Sequence, residues 1–497
     1  MKQRLGASVL AVVTLGAAYF FAPSRSGLQT PWFNKSPWFT PNPPLNAVKS
    51  QPDITAVLLN WVRLANVVEI VSVLCGVDDV IQEVVVWNNN PRPLKYEDFA
   101  KTNCSPQKLR IHNSPENLYF QARFIACANA STPYCFIQDD DYLVKPEVIR
   151  SLRARIDTHD IYLLPPDESL SSHLLSVSSP STNITFGFSW LGYGSLILRS
   201  NAESFLSLLK RIGASEEENK MADNYYSILR NSVPEVWTGC PIPLGGGGDF
   251  TVGEEGVARN RKHIAAATNY LDKIVANQFA AQSASGEWPY VSLTPSDPGP
   301  RLERSPCLER TCVLESTIQF LPEAFTTSIY QTAVQIFSRE AELATALTPE
   351  FISNYANFSL SCAVDADQTT SFRSFRNAVE GDILILDNFD GVQQMNWTGV
   401  QWVWLVDDST AMILKASTYS FSADKRTWVE SSGSTSCTTP SNNISSSESG
   451  ALECYISIGG PSFETARYFQ TRLGKAALNV PWRIYETWLR KETAVDT

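Results

Sequence analysis

Histidine is scarce in this 497-residue chain: there are four, widely scattered, and the ten cysteines contain no Cys-x-x-Cys pair. That excludes the compact ligand spacings of a zinc site. Positive charge is also short, with 40 Lys and Arg against 51 Asp and Glu and a formal net charge of −11. A nucleic-acid backbone is therefore excluded as the main partner, and an anionic ligand needs locally arranged cations or a metal. The four glycines 245–248 lack the spacing of a phosphate-binding loop and read as either a flexible surface loop or a mobile lid. What is present, 43% hydrophobic and 18% charged residues, is the composition of a folded protein, and the length predicts two or three domains.

Lys2 and Arg4 precede an apolar run from Leu5 to Ala22, ended by Pro23. As α-helix that run spans about 27 Å, near the thickness of a thin bilayer core. It is either a cleaved signal peptide, with Gly16-Ala17-Ala18 as the small-residue region, or an uncleaved signal anchor. Its continuation through Tyr19-Phe20-Phe21 favours the anchor. Cations before the span place the N-terminus in the cytosol and the body in the lumen. The expected location is the Golgi or endoplasmic reticulum membrane, with one N-terminal span, type II topology and a lumenal catalytic domain. Sequons at Asn34, Asn103, Asn129, Asn183, Asn357, Asn396 and Asn443 agree with that compartment, as does the even number of cysteines. Cys307 with Cys312 and Cys437 with Cys454 are candidate disulfides.

The chain divides by composition into a tail (1–4), the span (5–22), a Pro- and Ser-rich stem (23–50), a body (51–275), a linker (276–315) and a last domain (316–490). The stem's near-repeat TPWFNKSPWFTP either stays extended or packs its aromatics on a folded domain. In the body, ITAVLLNW, IQEVVVWNN, YCFIQ and DIYLL read as buried strands alternating with helices, the pattern of an α/β domain with a largely parallel sheet. Beyond 316, DILILDNF, VQWVWLVD, AMILKASTYSFSA and ARYFQTRL read as strands of an all-β sandwich.

Asp139, Asp140 and Asp141 follow YCFIQ directly, at the strand end where α/β sheets collect ligands. Three adjacent carboxylates are either an acidic turn before the helix opened by Pro146, or a site for a hard dication such as Mn2+ or Mg2+, which would relieve their repulsion. Asn88 and Asn89 end an earlier strand, as turn residues or as amides that read a nucleotide. Arg123, one helix upstream, is either solvated or faces a diphosphate, and Asp223 is either an N-cap or a carboxylate pointing into the site.

The order ITAVLLNWVR, VVVWNNNPRP, NSPENLYFQARF, CFIQDDDYLVKPEVI, GYGSLILRS and ADNYYSIL resembles the catalytic domain of the exostosin-type transferases, glycosyltransferase family 64, over about 53–235. The resemblance implies a Rossmann-like GT-A fold, a UDP-sugar donor, Mn2+ dependence and retention of configuration. It implies that Asn88, Asn89, Arg63 and Arg123 line the nucleotide site, with Asp139 and Asp140. Asp141, with Asp139, is implied as metal ligand. Asp223, with Asp140, is implied at the reacting carbon and acceptor. The chain departs from the family pattern at Met221-Ala222, where a Cys-acidic pair is usual, and at Gly192-Tyr193-Gly194, where Gly-Ala-Ala is usual. The segment CAVDADQTTSFRSFRNAVEGDILILDNF is similar to discoidin modules, galactose-binding-like jelly-roll sandwiches, in which Asp365 and Asp367 would form a structural turn, sometimes around Ca2+.

The expected function is thus a retaining, metal-dependent transfer of a sugar from a UDP-sugar to a glycan or glycoprotein acceptor. The alternative is a transferase-like, glycan-binding protein without turnover. A glycoside hydrolase is disfavoured, because adjacent aspartates stand too close to serve as its separated carboxylate pair. A homo-oligomer is compatible with either alternative.

Overall fold

The computed structural model describes residues 51–157, 159–246, 254–277, 288–294, 302–318, 330–390, 399–440, 450–459, 463–475 and 479–491. The expected membrane span and stem, much of the linker, and Gly247 and Gly248 lie outside the described residues. No helix among the described residues is long and apolar enough to cross a membrane.

In the first domain, β1 (Ile54–Asn60), β2 (Ile81–Asn88), β3 (Leu109–Asn113), β4 (Tyr134–Gln138), β5 (Ile161–Leu164), β6 (Tyr193–Leu198) and β7 (Glu235–Thr238) form one sheet in the order β7-β5-β6-β4-β1-β2-β3. Strands β1 to β4 run parallel, while β6 is antiparallel to β4 and β5. The main helices are α1 (Leu64–Cys75), α2 (Gln121–Ala128), α3 (Pro146–Arg155), α4 (Pro166–Leu174), α5 (Arg199–Ile212), α6 (Asp223–Leu229) and α7 (Glu254–Val275). They cover both faces, which is why the central strands are apolar without alternation. Val57 of β1 faces a core shared with α2, α5 and α6, while Ala56 and Leu58 face another shared with α1 and α3.

Three parallel strands end in asparagine at matched register, Asn60 opposite Asn88 and Asn88 opposite Asn113. Asn60 Nδ2 donates to Asn88 Oδ1 at 2.7 Å, and Asn88 Nδ2 to Asn113 Oδ1 at 2.9 Å. This amide ladder ties together the strand ends from which the site loops leave. Disulfide Cys127–Cys135 joins α2 to β4, and Cys75–Cys104 joins the end of α1 to the segment before β3. The two expected pairs, Cys307–Cys312 and Cys437–Cys454, are also present.

The second domain is a sandwich of two antiparallel sheets. One holds β8 (Glu303–Pro306), β9 (Cys312–Ser316), β11 (Ile383–Asn388), β17 (Tyr468–Leu473), β13 (Ser417–Ser422) and β14 (Val429–Glu430), in that spatial order. The other holds β10 (Phe372–Asn377), β18 (Pro481–Lys491), β12 (Val400–Val406), β16 (Leu452–Ile458) and β15 (Ser436–Thr438). Trp402, Trp404, Trp482 and Phe469 fill the space between. Two strands of the first sheet therefore come from the stretch expected as linker. The region is also less purely β than its patterning suggests, with helices α8 (Ile336–Ala346), α9 (Pro349–Asn357) and α10 (Asp408–Lys415). The last includes AMILK, expected as strand: the Asp407 carboxylate caps it by accepting from Thr410 N at 2.8 Å, and that start signal prevails over a short apolar run. Asp365 and Asp367 do form a turn, accepting from Asp367 N, Thr370 Oγ1 and Thr369 N.

The domains share apolar contacts. Leu170 of α4 belongs to the sandwich core, while Val313 and Phe389 of the sandwich belong to the first domain's core. Arg339 of α8 donates to the carbonyls of His173 and Leu174 at 3.2 and 3.1 Å, capping the C-terminus of α4. Beside them a charge cluster joins Arg155 and Glu235 of the first domain to Arg304, Glu315 and Asp387 of the second. Lys425 and Arg467 complete it, on Glu315 and Asp387 respectively.

Candidate active site

The strand β4 is an apolar run that ends in Gln138, whose amide donates to the Tyr142 carbonyl and closes the loop carrying Asp139, Asp140 and Asp141. That loop sits at the carboxyl ends of β1 and β4, so Arg63, three residues beyond β1, reaches it. Arg63 Nη1 lies 2.7 Å from Asp140 Oδ1 and 3.5 Å from Asp141 Oδ2. Asn66 of α1, which carries no signal in the sequence, donates to the carbonyls of Asp140 and Gly245, both at 2.9 Å. It ties the aspartate loop to the first of the glycines.

Arg123 is fully buried on α2, the helix stapled to β4 by Cys127–Cys135. Its Nη2 lies 2.7 Å from Asp139 Oδ1 and its Nη1 lies 2.9 Å from Asp223 Oδ2. One guanidinium thus joins the aspartate loop to the start of α6. Asp223 is buried as well, and its second oxygen, Oδ1, has no hydrogen-bond partner. Burial first, then Asp139 nearby, pushes the Asp223 carboxyl up to about 7 against the pull of Arg123. Asp141 is pushed up to about 6, by partial burial and by Asp139, with Arg63 opposing. Burial also raises Asp140, although Arg63 pulls it down.

Two glycines are required here by space. A Cβ on Gly192 would lie 2.0 Å from Asp139 Oδ2, so only glycine lets that carboxylate rest on the backbone. Gly194 has φ +111°, and a Cβ there would meet Val144 Cγ2 at 2.7 Å. Next to them Tyr193 donates to Glu168 Oε1 at 3.3 Å, and its ring centroid is 4.9 Å from that of Tyr142. Burial, moderated by Tyr193 and Trp190, pushes the Glu168 carboxyl up to about 7.

The structure thus brings Arg63, Arg123, Asp139, Asp140, Asp141 and Asp223 into one site. Four expected site residues, Asn88, Asn89, Arg123 and Asp140, are held by protein partners. Asn88 is fully buried, its amide engaged by Asn60, Asn113 and the carbonyls of Asn90 and Arg92. Asn89 is buried too, donating to Tyr119 O and accepting from Leu118 N, both at 3.2 Å. Both hold loops rather than present amides to a nucleotide. Arg123 is enclosed between two carboxylates and holds them in place instead of facing a diphosphate. Asp140 is engaged by Arg63, which leaves Asp141 the least restrained carboxylate of the triplet. Met221 and Ala222, where the resemblance leads one to expect a Cys-acidic pair, pack into the core.

Among the described residues no group of three or more His, Cys, Asp or Glu is arranged to hold a metal alone. Asp141, the least restrained of the triplet, with Asp139 held beside it by Arg123, instead fits a dication such as Mn2+ or Mg2+, which takes one or two protein carboxylates and completes its sphere with phosphate oxygens and water.

No family model and no curated protein matches the chain. Among solved structures it is similar to S. aureus TarS 1-349 in complex with UDP-GlcNAc, at 13% identity over 46% of this chain and 72% of that one, TM-score 0.30. It is similar to the mannosyltransferase PcManGT from Pyrobaculum calidifontis in complex with GDP-Man and Mn2+, at 14% identity over 54% and 73%, TM-score 0.29. It is also similar to CBM32-3 from a family 31 glycoside hydrolase of Clostridium perfringens, at 17% identity over 27% and 81%, TM-score 0.18. Sugar transferases and a carbohydrate-binding module are thus what this chain is similar to, while the acidic site itself carries the functional proposal.

Proposed function

We propose that the protein is a retaining, metal-dependent glycosyltransferase that moves a hexosyl or N-acetylhexosaminyl group from a UDP-sugar to a glycan or glycoprotein acceptor, in the lumen of the secretory pathway and held there by its N-terminal span. The observation that carries it is the buried Arg123, which fixes Asp139 and Asp223 on either side while Asp141 stays accessible beside them. When bound at Asp141 and Asp139, Mn2+ or Mg2+ supplies positive charge that stabilises a departing diphosphate. Arg63 steadies Asp140 and Asp141 so that the loop keeps its shape as charge moves. Asp223 offers its unpartnered Oδ1 to the acceptor hydroxyl or to the developing positive charge on the sugar ring, with Arg123 fixing its other oxygen.

The test is calorimetric titration with UDP in Mn2+ and in EDTA, followed by sugar release from a panel of UDP-sugars. Binding should require Mn2+, and both binding and release should be lost in Asp141→Ala. UDP binding that ignores Mn2+ and the substitution would overturn the proposal.

A further inference from the structure

Beside the aspartate loop lies a cluster that the donor chemistry does not use. Tyr142 directly follows Asp141, and Tyr193 directly follows Gly192, against which Asp139 rests. Their rings are 4.9 Å apart at 57°, and the Tyr193 hydroxyl donates to Glu168 Oε1 at 3.3 Å. Trp190 donates to the same carboxylate and meets Phe188 edge-on at 4.7 Å. Tyr142, Glu168, Trp190 and Tyr193 are all half-buried, neither sealed in the core nor fully exposed. A carboxylate accepts several hydrogen bonds, so after Tyr193 and Trp190 it has capacity for a further hydroxyl. Half-buried aromatic rings around a placed carboxylate suit a ligand that is apolar on one face and hydroxylated at its edge.

We propose that Tyr142, Tyr193 and Glu168 form the subsite for the sugar residue that receives the transferred group, with the rings against its C–H face and Glu168 accepting from one of its hydroxyls. The subsite rests on the transferase proposal for its place in a reaction. The charges nearby select its occupant. With Asp141 occupied by the dication, Asp167 and Glu168 are the remaining charges that act electrostatically on Tyr142, and no protein cation is among the principal influences on it or on Tyr193. An anionic sugar such as a uronate would meet repulsion there, so the occupant is a neutral hexose or N-acetylhexosamine.

Saturation-transfer NMR on the full chain, with UDP and Mn2+ present, tests this with methyl glycosides of glucose, galactose, N-acetylglucosamine and glucuronic acid. At least one neutral glycoside should receive saturation and the glucuronide should not. Tyr142→Ala and Glu168→Gln should weaken the neutral signal about tenfold, and Tyr193→Phe, which removes only the hydroxyl on Glu168, should weaken it less. Thermal melts verify that each variant is folded. A glucuronide signal equal to the neutral ones, no glycoside signal at all, or signals untouched by the three variants would each overturn the subsite. Neutral-sugar binding that depends on these residues in a protein that binds no UDP would keep the subsite and sink the donor proposal. UDP binding with unmoved glycoside signals would do the reverse.

Discussion

Two clusters of buried charge in this molecule are built to opposite balances. At the active site four carboxylates, Asp139, Asp140, Asp141 and Asp223, meet two cations, Arg63 and Arg123. At the domain interface Glu235, Glu315 and Asp387 meet Arg155, Arg304, Lys425 and Arg467. The consequence is visible in Glu315, though not in its neighbour Asp387, which burial raises even with Arg467 and Arg155 beside it. Burial works to raise Glu315, yet Lys425, Arg304 and Arg155 together bring it below its ordinary value. Burial raises Asp141 and Asp223, and the site has too few cations to reverse it. A surplus of buried negative charge is costly unless a ligand completes it, whereas a cluster in which every carboxylate meets at least one cation holds two surfaces in one arrangement.

The comparison can be broken at either end. The largest expected effect is at the interface: Glu315→Ala leaves Arg155, Arg304 and Lys425 facing one another, and should cost about 3–5 kcal/mol in a urea unfolding series. An unchanged midpoint would show that the cluster contributes no specificity to the docking. At the active site, Asp141→Ala should lower sugar release by about a hundredfold or more, about 2.7 kcal/mol in the barrier, without lowering the melting temperature.

pH separates the two clusters further. Below about pH 6 Asp141 takes up a proton, and Mn2+ needs the carboxylate. Mn2+ affinity, read by calorimetry, should therefore be full above about pH 7 and fall by up to about tenfold per unit below 6. For the metal-free protein the sign reverses. A carboxyl raised above its unfolded value stabilises below that unfolded value, and the contribution is lost as pH rises through about 6. Asp141→Asn should accordingly melt higher than wild type at pH 8 in EDTA, and the gap should close toward pH 4. The smallest effect concerns the two cysteines outside the four disulfides. Cys240 lies at the surface, its thiol raised by partial burial and in contact with the Ser361 hydroxyl, and should react slowly with a thiol reagent in the native protein, whereas Cys362 is buried, its thiol pushed up to about 12, and should react only on unfolding.

Much of the first domain was legible because its signals are local. ITAVLLNW, IQEVVVWNN and YCFIQ are strands as their unbroken apolar runs imply, and Pro146 opens α3 with Arg153 and Arg155 in its last turn. The aspartate triplet could be located from strand-end position alone, and Asp223 does open a helix. What could not be read was which polar groups satisfy one another. Asn88 and Asn89 look available in sequence, but their partners, Asn60, Asn113, Leu118 and Tyr119, depend on register and loop path. The ladder had one faint trace, three candidate strands each closing on asparagine. Glu168 left none, since its contact with Tyr193 joins two elements 25 positions apart. The sandwich was legible by class only, because capping residues turned apolar runs such as AMILK into helix.

Helix α4 faces two ways. Glu168 contacts Tyr193 near the aspartates, while Ser169 meets Tyr355 at 3.2 Å and Leu170 sits in the sandwich core. The second domain is therefore not a portable accessory that could be trimmed off or exchanged for another sandwich. Cutting the chain where its composition changes would strip the cover from Leu170 and loosen the helix that presents Glu168. An expression strategy or chimera that respects this architecture keeps residues 51–491 together and makes its substitutions on the far sheet of the sandwich.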